Sequence, residues 1–269
     1  MGPKKRTGRR REICLAVLGL NFCGLIFCQA VIVPAQAREP LRIFAAASTI
    51  APITKAVELF AKAEGIPVIP VIASSGALAR QIAAGAPAHL FLSADPKWLD
   101  WAVTENAIDR ESRRVILGNR LVLAAPHGSP GKFEITKTFD LVARLGDKRL
   151  AIADPAHAPL GAYAQAALRW LGAWQSVAPR ALRLGVAAQT RVMVERGEAA
   201  FAILYASDVA GNPRLTVAGF FPADSHPPIV YEIALTNLGA KTPRARQLLK
   251  WLTGPAARKV FIDSGFRVQ

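Results

Sequence analysis

The chain has 269 residues, 52% of them hydrophobic and 20% charged, with a formal net charge of +15. That balance excludes a disordered polymer and leaves room for one large or two modest folded domains. All three cysteines, Cys14, Cys23 and Cys28, fall in an N-terminal segment unlike the rest of the chain.

That segment sets a basic head, MGPKKRTGRRRE, before an apolar run, CLAVLGLNFCGLIFCQAVIV, and closes on PAQA. Basic, apolar and small-x-small in that order predict a secretory signal peptide over residues 1–37, cut after Ala37. The alternative is a permanent anchor, since the run approaches the ~20 residues of a membrane span. Asn21 and Gln29 interrupt it, and the AQA ending favours cleavage. Arg9, Arg10 and Arg11 leave the choice between general and twin-arginine export open. Without this segment the chain has no cysteine, which excludes disulfides, thiolate catalysis and cysteine-ligated metal clusters. It keeps 28 basic and 18 acidic residues, a net charge of +10. Such a surplus suits an anionic ligand, a membrane surface or a merely solvated surface. Its charges are scattered with no aromatic interleaving, so no nucleic-acid partner is expected.

In the remainder, LRIFAAAS reads as a buried strand and TIAPITKAVELFAKAEG as a helix with Ile53, Val57 and Phe60 on one face. IPVIPVIASS repeats the strand, with Pro70 predicting an edge position or a bulge. GALARQIAAG follows as a short helix, AHLFLSAD as a strand and PKWLDWAVTENA as a helix with proline in its first turn. NRLVLAAP, RLAIADP, AAFAILYASD and IVYEIALTN predict further strands. The segments between them carry helices: a short one in KFEITKTFDLVARLGDKR, then GAYAQAALRWLGAW and VAAQTRVMVERGE. TPRARQLLKWLTGPAARKVFIDSGF supplies the C-terminal helix. The alternation predicts an α/β protein with largely parallel sheets. Trp98, Trp101, Trp170, Trp174 and Trp251 fit the packed faces of helices.

FAAAS and IASS share one feature: an apolar strand stops at serine where a helix begins. Ligands of open α/β sheets bind beyond the carboxyl ends of the strands, where helix N-termini offer unpaired N–H groups. Serine there can simply cap the helix; two such junctions on neighbouring strands can instead cradle an anion.

These motifs, with IASSGALARQIAAGAPAHLFLSADPKWLDWAV, LGNRLVLAAP, LAIADPAHAPLGAYAQAAL, VAAQTRVMVERGEAAFAILYASD and GPAARKVFIDSGF, resemble the molybdate-binding proteins of bacterial ABC uptake systems. Those are type II periplasmic binding proteins, and the likeness spans essentially the whole chain after residue 37. It implies two α/β lobes joined by two crossover strands: residues 38–119 with 232–269, and residues 120–231. It implies an oxyanion held by Ser48 and Ser75 through hydroxyl and backbone N–H, by the N–H groups of Leu160 and Ala187, and by the Tyr205 phenol. The molybdenum would be held through its oxygens, with no direct protein–metal bond and no cofactor. Tungstate would share the site, an ABC permease would receive the cargo, and the protein would be a periplasmic monomer. Leu160 stands where the family often has a smaller residue, Gly76 where a third serine is common and His89 where aspartate is common. None of the carried-over positions is charged, so basic residues are expected to steer the anion without touching it. A site of donors alone disfavours hydrogen phosphate, whose O–H would lack an acceptor. The alternatives are a binder of another tetrahedral oxyanion such as sulfate, and an exported serine hydrolase. No G-x-S-x-G elbow supports the hydrolase, so no catalytic residue is expected.

Overall fold

The computed structural model describes residues 2, 39–129 and 131–268; the expected signal segment and its cut lie, Gly2 apart, outside them. In chain order the elements begin with β1 (Leu41–Ala46), α1 (Ile50–Glu64), β2 (Val68–Ala73), α2 (Ser75–Ala83), β3 (Leu90–Ser93), α3 (Pro96–Thr104) and β4 (Arg114–Gly118). They continue with β5 (Leu121–Pro126), α4 (Leu141–Leu145), β6 (Leu150–Ala153), α5 (Pro159–Trp170), α6 (Trp174–Val177), β7 (Leu182–Leu184) and α7 (Ala187–Glu195). Next come β8 (Phe201–Tyr205), α8 (Ala206–Val209), β9 (Leu215–Phe220) and β10 (Val230–Leu235). The chain closes with α9 (Asn237–Ala240), α10 (Pro243–Leu252), α11 (Pro255–Asp263) and β11 (Arg267–Val268). Strands β4, β7, β9 and β11 were not among the expected elements. β7 and β11 are three residues or fewer, and β4 is followed at once by the stronger apolar run of β5. β9 has six residues and takes its place by pairing with β5.

Two sheets result. One has the order β11-β4-β10-β3-β1-β2 and the other β7-β6-β8-β5-β9. Chain passes between them twice, through Asn119–Arg120 after β4 and through residues 221–229 before β10. The sheets are mixed, which corrects the expectation of largely parallel ones. Four strand pairs are parallel and five antiparallel. β10 enters the first sheet from the second and so runs against β3 and β4. β5 runs likewise against β8 and β9. Only the strands joined by helical crossovers within one sheet stay parallel.

Local chemistry explains the elements that lead to the strand ends. β2 sits at the edge of its sheet, paired to β1 alone, where Pro70 costs no ladder bond. α1 ends on Gly65 at φ 64°, a left-handed turn open to glycine. Asp95 caps α3 by accepting from the Lys97 N–H at 3.0 Å, with Pro96 in the first turn. Gly76 lies under Trp98: a β-carbon there would come within 2.5 Å of the indole ring, which accounts for glycine where a third serine is common. His89 is structural, its Nδ1 accepting from the Arg42 N–H at 3.0 Å. Burial, then the cations Arg42 and Arg244, holds its pKa below the ordinary value, so the ring stays neutral and can accept. Trp98, Trp101, Trp174 and Trp251 all pack part-buried against the cores.

Candidate binding cleft

Strand register decides which junctions meet. The last residues of β1 and β2, Ala46 and Ala73, are direct partners, so the turn carrying Ser48 and the start of α2 at Ser75 open from one edge. In the second sheet Ala153 of β6 pairs with Leu184 of β7, which sends α5 and α7 off a common edge. β8, beside β6, ends at Tyr205. Tyr205 therefore closes a strand, and Ser48, Ser75, Leu160 and Ala187 lie in the turns and helix starts that follow strand ends.

Their helix starts differ in a way that matters. Ser74 caps α2 through a 3.4 Å bond from the Ala77 N–H, so the capping role falls on the first serine of the pair and not on Ser75. By contrast, no side chain caps α5 or α7. Pro159 opens α5 and has no N–H, which makes Leu160 the first donor that helix offers. Gly161 holds the helix start against the end of β6, where a β-carbon would collide with the Ala153 carbonyl. Ala187 is the first residue of α7. Uncapped helix N-termini keep N–H groups and the positive end of the dipole available to an anion.

Ser48, Ala187 and Tyr205 line a single cavity of about 580 Å³, together with Arg191, Ser207, Asp208 and Asp263. Ser75 and Leu160 are not among its lining residues. Both side chains are buried, and the Ser75 hydroxyl accepts from the Ala94 N–H at 3.0 Å. Ile50 and Val186 line the cavity from the two sheets' sides and are more than half exposed, at 55% and 52%.

A polar network backs this wall. Asn119, in the first crossing, donates to Ser207 Oγ at 2.9 Å and reaches the Tyr231 hydroxyl at 3.5 Å. Ser48 also bonds the Tyr231 hydroxyl. Burial raises the Tyr231 pKa, and those two bonds act against the rise. Tyr205 is only 9% exposed and stacks edge-on with Tyr163 at 6.3 Å. Burial pushes its pKa well above the ordinary value, with Tyr231, Tyr163, Asp208 and Asp95 adding to the effect. The phenol therefore keeps its proton at neutral pH and remains a donor.

Three charged residues of the wall, Arg191, Asp208 and Asp263, were absent from the expected set. Arg191 stands four residues after Ala187 and Asp208 three after Tyr205, spacings that share a helical face. That periodicity was the available signal for these two. Asp208 Oδ2 accepts from the Tyr205 N–H at 3.3 Å. Burial pushes its carboxyl up to about 6, against the opposing pull of that bond and of Arg191. Among the described residues no group of three or more His, Cys, Asp or Glu could hold a metal ion.

Two α/β sheets connected by two crossings, with donors converging from the strand ends of both, define a clamshell solute-binding protein. A family model described as "Bacterial extracellular solute-binding protein" matches residues 41–267. "Molybdate-binding protein ModA" of Escherichia coli is 39% identical over 250 residues, 92% of this chain and 97% of that one. Its Haemophilus influenzae counterpart is 34% identical over 264 residues, 98% of each chain. The chain belongs to this family of extracellular solute-binding proteins, alongside the ModA proteins. Solved structures share the two-lobed type II fold. The Azotobacter vinelandii periplasmic molybdate-binding protein has a TM-score of 0.69 at 24% identity, over 85% of this chain and 99% of that one. The sulfate-binding protein SubI of Mycobacterium tuberculosis has 0.60 at 17%, over 85% and 86%. One fold thus holds binders of different oxyanions, and the ligand must be argued from the site.

Proposed function

We propose that this protein is an exported solute-binding protein that captures molybdate, and tungstate with it, and hands it to an ABC permease. The carrying observation is the cavity in which Ser48 from one sheet meets Ala187 and Tyr205 from the other. A dianion stripped of water is costly to bury. Hydrogen bonds to a charged acceptor return about 1.5–3 kcal/mol each, so several converging donors offset that cost. Ser75 and Leu160 join the set as the lobes close, the first through its backbone N–H and the second as the leading donor of an uncapped helix. The lobes are residues 38–119 with 232–269, and residues 120–231. Support for this division comes from the two separate sheets, although Val230 and Tyr231 already pair with β4. The N-terminal 37 residues act as the export signal, which places the mature monomer in the periplasm. Nothing here is catalytic, in keeping with a family of transport components.

Titration of the mature protein with molybdate, tungstate, sulfate and phosphate tests the reading. Molybdate and tungstate are expected to bind tightly and sulfate and phosphate weakly. Equal affinity for all four, or preference for sulfate, would replace molybdate with the broader oxyanion reading.

A further inference from the structure

The oxyanion site expected from the family motifs is neutral, yet this chain puts a cation into its wall. Arg191 lines the same cavity as Ser48, Ala187 and Tyr205, one turn along α7 from the Ala187 N–H. Its Nε is buried and lies 3.1 Å from Glu195 Oε1, an ion pair too poorly aligned to count as a hydrogen bond. Glu195 is in turn held by the Asn212 amide at 2.6 Å. The stem is therefore anchored from behind, while 39% of the side chain stays accessible. An anchored guanidinium loses little freedom when it takes a ligand, and its planar fork suits an oxyanion edge.

We infer that Arg191 is a further ligand-binding residue of this cleft, giving the oxyanion a charge-assisted contact beside the neutral donors. The assignment rests on the oxyanion reading above. Its consequences follow from Coulomb's law. A cation in a part-buried wall favours a dianion over the water it displaces, and it does so less as salt screens it. Asp208 and Asp263 share the wall; Asp263 is paired with Lys259 at 2.8 Å, while the Asp208 carboxylate would repel the same dianion. Arg191 offsets that repulsion, which lets the site keep Asp208 without losing the anion.

The test compares wild type, Arg191→Gln and Arg191→Lys by calorimetric titration with sodium molybdate at pH 8, in salt from about 50 to about 500 mM. The glutamine variant is expected to lose about tenfold to a hundredfold in affinity at low salt. The lysine variant should recover part of that loss. Wild-type affinity should fall with salt more steeply than that of the glutamine variant. Thermal melts without ligand separate this from damage to the Glu195 pair. Glutamine binding like wild type, or glutamine and lysine losing equally with an unchanged salt slope, overturns the assignment. Failure of wild type to bind molybdate at all overturns the proposed function instead, and the assignment with it.

Discussion

Asp208→Asn is the most informative single change for stability. The wild-type carboxyl, ordinarily near 3.8, is pushed up to about 6, chiefly by burial. Between those values the folded protein holds a proton that the unfolded chain has released. Stability tied to this group is therefore fully present below pH 3.8 and is lost as pH rises through about 6. A shift of about two units corresponds to about 3 kcal/mol, at 1.36 kcal/mol per unit. Solvent reaches part of the residue, so about 2 kcal/mol is the working figure. Asparagine cannot ionise, yet its Oδ1 can still accept the Tyr205 N–H. The variant should gain about 2 kcal/mol on wild type between pH 4 and pH 7.5, or about 4–8 °C in Tm for a domain of this size. Chemical and thermal unfolding of both ligand-free proteins across that range measures it. Parallel profiles would show that the carboxyl does not titrate abnormally, and the account of a desolvated acid in the cleft wall would fail.

The same variant should bind molybdate several-fold more tightly at pH 8, because it removes a like charge from the cavity; unchanged affinity would move Asp208 away from the bound anion. Tyr205→Phe should weaken molybdate binding about tenfold to a hundredfold, the worth of one hydrogen bond to a charged acceptor, and calorimetric titration reads it directly. Ser75→Ala orphans the Ala94 N–H and should lower unfolding free energy by about 1–3 kcal/mol in a denaturant titration; an unaltered midpoint would mean that N–H finds another partner. Mass spectrometry of exported protein should give a chain starting at Arg38, whereas a membrane-bound product retaining Cys14, Cys23 and Cys28 would make the N-terminus an anchor.

Much of the outline was legible because it depends on local pattern. Period-3.6 patterns marked the long helices, continuous apolar runs marked the buried strands, and Pro70 marked an edge position or a bulge, of which the structure shows the edge. Short strands such as Leu182–Leu184 carry too few residues for any period to show, and they exist because a neighbouring strand pairs with them. Strand direction was equally out of reach. β10 reads as one more apolar run, and it lies antiparallel in the first sheet only because the chain returns there from the second.

For the cleft, the amino-acid sequence by itself determined the residue types near the strand ends: serine at 48 and 75, alanine at 187, tyrosine at 205. Those follow from short motifs whose meaning survives without the rest of the chain. Tertiary structure decided which of them share a wall. Ser48, Ala187 and Tyr205 meet in one cavity, while the Ser75 hydroxyl turns to Ala94. It also decided the electrostatics, by setting Arg191 and a desolvated Asp208 among the neutral donors. Charge in a protein acts through distance and burial, and neither quantity exists until residues far apart in the chain are packed together.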